Sequence, residues 1–160
     1  MSESQSRAWL ALVWTAELLP AALDAQLQAD SGMTHFEFMV LSTLQQARDA
    51  TLRTKDLAAA VNATLPRLSR VVGKLAARGL VERLGSEGDA RAVNVRLSTA
   101  GRRELVRAVP SHIDRVKELV IDQLDAAQLE ALIAALEPLI SRLDPLQRVG
   151  FTAAERASRS

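Results

Sequence analysis

The chain has 160 residues, 48% of them apolar and 24% charged, a composition suited to a globular protein with its own core. It has no cysteine, which excludes disulfides and thiolate chemistry, and only two histidines, so neither a metal centre nor a cofactor is expected. Net charge is +1, yet residues 48–107 hold thirteen Lys/Arg against six Asp/Glu (+7) while the rest of the chain totals −6; a basic block between acidic ends is the footprint of a polyanion-binding module.

The first helix is expected over residues 6–27, where Trp9, Leu10, Val13, Trp14, Leu18 and Leu27 form a broad apolar stripe. Pro20 lies inside it and is expected to kink or divide it. No uninterrupted apolar run approaches the roughly 18–20 residues of a membrane span, and the N-terminus lacks a signal-peptide pattern, so no membrane partner and a cytoplasmic location are expected. Thr34, with Glu37 three residues on, starts a second helix through a capping box. "ARDATLR" reads as a polar connection. Thr54 caps a short third helix, "KDLAAAV", and Asn62 with Ala63 makes a tight turn. Thr64 caps a fourth helix over residues 64–78, with Pro66 in its first turn, where a missing N–H costs little, and Gly79 at its exit. A hairpin follows, residues 80–84 against 92–97 with 85–91 as its loop; Val93, Val95 and Leu97 alternate onto one face. Ser98 caps a fifth helix to about Leu124, bent at Pro110. Asp125 with Gln128 caps a sixth, "AAQLEALIAALEPLISRL". Residues 144–160 read as a frayed tail.

On a helical wheel of the fourth helix, Leu65, Leu68, Val72, Leu75 and Ala76 gather on one side. Arg67, Arg70, Lys74 and Arg78 gather opposite, within roughly 80° of one another, with no acid among them. An ordinary solvated helix would interleave Glu with those cations. Two short helices joined by a tight turn, the second with a basic front, make a helix-turn-helix. Its second helix belongs in a DNA major groove with its N-terminal residues toward base edges. Thr64, Arg67, Ser69 and Arg70 occupy that end, while Lys74 and Arg78 suit phosphates; Thr54, at the start of the preceding helix, joins the set. The hairpin makes this a winged helix, over residues 34–98, with the wing at about 83–96. Arg91 at the end of the loop suits a narrow minor groove, and Asp89 is close enough to pair with a nearby arginine and fix the loop. The fold class is therefore mainly α with a small β-hairpin wing (α+β).

The stretch "LPRLSRVVGKLAARGLVERLGSEGDARAVNVRLSTAGRREL" resembles the MarR family of bacterial transcriptional regulators: the recognition helix, its exit over residues 75–83, Asp89 with Arg91 in the wing, and Leu97 to Gly101 entering the next helix. The wing departs from the family pattern over residues 84–88 and at Ala90. The resemblance implies one MarR-type domain over residues 1–160, forming a homodimer through helices at 6–30 and 99–143. It implies a repressor binding a pseudo-palindromic operator in double-stranded DNA, released by a small aromatic or phenolic effector. Trp14, His35, Phe38 and His112 are the residues expected to line an effector pocket, although aromatics at helical spacing are more often core. No nucleophile with a base, phosphate loop or metal spacing is present, so no enzyme is expected. The competing expectation is a winged-helix dimer that binds protein and not duplex DNA.

Overall fold

The computed structural model describes residues 1–86 and 89–150, with side chains for all of these except 86 and 89–92. Helix α1 spans Glu3–Ser31, α2 His35–Gln46, α3 Thr54–Ala60, α4 Leu65–Ala77, α5 Thr99–Leu119 and α6 Ala126–Leu143. Strands β1 (Thr51–Arg53), β2 (Val81–Ser86) and β3 (Asp89–Leu97) form an antiparallel sheet in the order β1-β3-β2. The mainly helical architecture with a small sheet agrees with the expected class.

Local chemistry sets most boundaries. Thr34 Oγ1 accepts from Glu37 N at 3.1 Å, and Glu37 Oε2 accepts from Thr34 N at 2.9 Å, closing the α2 capping box. Asp125 and Gln128 do the same for α6. Thr64 and Ser98 cap α4 and α5. Helix α4 exits through Gly79 in the left-handed region (φ 70°), with Leu80 N donating back to Leu75 O at 2.9 Å, so its last carbonyls find partners.

Several expectations need correction. Helix α1 runs unbroken through Pro20, beginning at a Ser2–Gln5 capping box and extending to Ser31. Proline removes one internal donor, and the Ala- and Leu-rich turns on either side carry the helix across it. By length and composition α1 is also long and apolar enough to cross a membrane, because Glu17 is the one charged residue between Arg7 and Asp24. The connection "ARDATLR" contains a 3-10 turn, Arg48–Ala50, and then β1, whose Leu52 pairs with Val95. The wing strands reach Ser86 and begin at Asp89, so the connection is shorter than the expected 85–91 loop. Helix α5 stops at Leu119 and a 3-10 turn, Ile121–Gln123, follows. Residues 144–150, expected in a frayed tail, fold back: Asp144 Oδ2 accepts from Val149 N at 2.8 Å, and Gly150 N donates to Ala60 O at 3.0 Å.

The core lies where α2, α3, α4 and the sheet meet, around Leu41, Leu44, Leu57, Leu68, Leu75 and Val95, all fully buried. The start of α5 is joined tightly to it. Ser98 Oγ donates to Gly79 O at 2.6 Å and accepts from Gly101 N at 2.9 Å. A Cβ on Gly101 would collide with the Leu80 carbonyl, so glycine permits this approach. By contrast α6 buries none of its residues against its own chain.

Candidate nucleic-acid interface

Helix α4 buries Leu68, Val72 and Leu75 and leaves the opposite side in solvent. Leu65, expected on the apolar side, is instead 51% exposed, because it occupies the first turn, ahead of the packed part of the helix. The four expected cations do not form one ridge. Arg70 and Lys74 are exposed and enter no ion pair among the described residues. Arg67 lies with its guanidinium 4.2 Å from the centre of the Phe36 ring. Arg78 reaches Glu37 Oε2 at 3.4 Å. Both therefore turn toward the N-terminus of α2.

The opposite flank of α4 meets the wing. Arg83 Nη2 donates to Ser69 O at 3.0 Å and lies 3.5 Å from where a Gly73 Cβ would stand. Arg83 was not among the expected site residues. Strand alternation carried a signal for it: Arg83 pairs with Val95 and shares the face of buried Val81, so it points at the helix. On the other face of the sheet, Glu82 pairs with Arg96, whose Nε donates to Glu82 Oε2 at 3.0 Å. Thr54 does not cap α3, since it is the first helical residue after Arg53. Its hydroxyl donates to Val93 O at 2.7 Å, tying α3 to β3. Thr64 and Ser69 are exposed at the N-terminal end of α4. The side chains of Asp89 and Arg91 lie outside the described residues.

The family profile described as "MarR family" matches residues 31–92. The transcriptional repressor MprA of Escherichia coli is 25% identical over 119 residues, 74% of this chain and 67% of that protein. AbsC, a MarR family regulator from Streptomyces coelicolor, superposes with a TM-score of 0.84 at 27% identity, over 91% of this chain and 97% of that one. Sco3205, a MarR family regulator from the same organism crystallised in complex with DNA, also superposes with a TM-score of 0.84. It is 31% identical and is matched over 93% of its length and 89% of this chain. The chain belongs to the MarR family. Its relatives are transcriptional regulators, not enzymes.

Within this MarR-family chain, three of the four residues expected at an effector pocket come together. The His112 ring centre lies 4.3 Å from that of Phe38 and 5.9 Å from that of His35, where α1, α2 and α5 meet. His112 Nδ1 is 3.3 Å from Gln26 Oε1, and His35 N donates to Asp24 Oδ1 at 2.8 Å. Burial holds the His35 imidazole below its usual pKa against the opposing pull of Asp24. Burial and then the neighbouring His35 do the same to His112. Trp14 does not join them; it is 59% exposed on α1, three turns before the segment that packs on α2.

Proposed function

We propose that the chain is a homodimeric, sequence-specific repressor that binds a pseudo-palindromic operator in duplex DNA. The observation that carries this reading is the exposed, acid-free front of α4, where Arg70 and Lys74 stand without ion-pair partners among the described residues, between a capped N-terminus and the wing. A helix presented this way enters the major groove N-terminal end first. Thr64, Arg67, Ser69 and Arg70 then lie toward base edges and Lys74 toward phosphate. Stacking on Phe36 would orient Arg67 for a bidentate guanine contact. Asp89 and Arg91 belong to the wing, which would follow the adjacent minor groove. That Sco3205 was crystallised with DNA supports the reading, and repression follows the description of MprA. Such a protein works in the cytoplasm, on the nucleoid.

The dimer is inferred from surface that the single chain leaves uncovered. Trp9, Leu10, Trp14 and Leu18 on α1, Val106 and Ile113 on α5, and Leu139, Ile140 and Leu143 on α6 are all exposed. Apolar surface spread over three long helices is what a subunit interface covers. We read α1 as part of that interface and not as a membrane span. The His35–Phe38–His112 cluster, with ring faces and imidazole nitrogens together, suits a small aromatic or phenolic effector.

Selection from a random duplex library at about 150 mM salt, followed by titration of the enriched site against salt, tests the reading. The expected result is an inverted repeat with half-sites about one helical turn apart and a steep salt slope. Lys74→Ala should weaken binding to all sequences and reduce the slope by about 1 per half-site. No enriched site, or binding indifferent to salt, would sink the proposal.

A further inference from the structure

The cations on α4 divide into two outward, Arg70 and Lys74, and two turned toward α2, Arg67 and Arg78. The second pair is gripped by consecutive residues, Phe36 and Glu37. Arg67 and Arg78 are eleven residues apart, about 16 Å along the helix. One short segment of α2 thus holds α4 near its first turn and at the residue that caps its C-terminus, which constrains rotation of the helix about its axis.

The Glu37–Arg78 contact is unequal. The Glu37 side chain is 9% exposed and that of Arg78 39%. The same Glu37 oxygen accepts the Thr34 N–H that closes the α2 cap. Arg78 also shares a cleft with Arg103 and Arg107, and Glu104 of that cleft is paired with Arg107. Glu37 is therefore the carboxylate that draws Arg78 toward α2. Removing either partner frees the C-terminal end of α4 from α2 while the Arg67–Phe36 contact stays, and removing Arg78 also leaves a buried carboxylate without its cation. Arg78 sits at the C-terminal end of α4, where the helix dipole favours a cation and which is the end farthest from the base edges.

We infer that Glu37 and Arg78 are a positioning pair that sets the aim of the recognition helix, and that Arg78 is not a DNA phosphate contact. The inference rests on the DNA-binding reading above. A phosphate contact and a positioning contact leave different signatures. Losing a phosphate contact weakens operator and random duplex alike and flattens the salt slope. Losing the positioning pair weakens the operator selectively and leaves the slope alone.

The experiment measures dissociation constants for operator and random duplex against salt, for wild type, Arg78→Ala, Glu37→Gln, the double variant and Lys74→Ala. Arg78→Ala should weaken operator binding about tenfold, leave random-duplex binding unchanged and keep the wild-type slope. Glu37→Gln removes a negative charge beside a DNA-binding helix, so simple electrostatics would make it bind more tightly. It should instead weaken operator binding about threefold to fivefold, with the same slope. The double variant should be no worse than Arg78→Ala. Glutamine still serves the capping box, so Glu37→Gln keeps the test open if Arg78→Ala folds poorly. The inference is overturned if Arg78→Ala flattens the slope as Lys74→Ala does, or if Glu37→Gln binds the operator as tightly as wild type. Wild-type protein without salt-dependent duplex binding would instead overturn the DNA-binding reading.

Discussion

Helices α4 and α6 are both amphipathic, and they use their apolar residues in opposite ways. Helix α4 packs Leu68, Val72 and Leu75 into its own chain, whereas α6 leaves Leu139, Ile140 and Leu143 in solvent. An apolar stripe says that a face is to be covered; it does not say which chain covers it. The difference follows from the connections. Helix α4 is joined by tight turns to α3 and β2, which supply its cover. Helix α6 follows the 21-residue α5 and a 3-10 turn, buries none of its residues, and is tied back to α3 by the turn at residues 144–150, where Gly150 N donates to Ala60 O.

The comparison can be broken most forcefully at Leu75. Leu75→Ala should cost about 2–5 kcal/mol in denaturant unfolding, at every protein concentration. Gly101→Ala tests the joint between the two parts of the molecule. The added methyl would meet the Leu80 carbonyl, so backbone must move, and a loss of about 1–3 kcal/mol is expected from the same measurement. Ile140→Asp on α6 should behave differently. It should leave the helical content of the chain intact but raise the dissociation constant of the proposed dimer at least about tenfold in sedimentation equilibrium. An effect of Ile140→Asp on unfolding that did not depend on concentration would show that α6 is covered by its own chain.

The smallest effect concerns pH. Burial holds the His35 and His112 imidazoles below the usual value of 6.5, so the folded chain binds fewer protons than the unfolded one. Their contribution to stability is complete above 6.5 and is lost as pH falls below it, toward the folded-state values. Thermal unfolding should show the midpoint declining as pH drops through that window, and His112→Gln should flatten the decline.

What the sequence made legible was local. The caps at Thr34, Thr64, Ser98 and Asp125 depend on residues three apart and fall where expected. Strand β1 was missed because three residues carry no period to read. The division of the basic face was missed for another reason. A wheel gives the angle at which a side chain leaves the helix, but an arginine reaches far enough to settle on either flank. Phe36 and Glu37, which decide the matter for Arg67 and Arg78, lie more than thirty residues away in sequence. Trp14 shows the same limit: its spacing placed it on an apolar face, and only the arrangement of α1 against α2 and α5 separates it from His35 and His112.

The Ser98–Gly101 joint has a mechanical consequence. Ser98 bonds to Gly79 and Leu80 as the chain leaves α4, and Gly101 admits no gap, so the first turn of α5 is fixed against the exit of α4. Helix α5 has 21 residues and is about 31 Å long. A tilt of about 5° at that joint would displace the far end of α5 by about 3 Å. Over that length a small error of angle at Gly101 would become a displacement wider than an atom at the far end, so the glycine fixes where the outer surface of α5 stands.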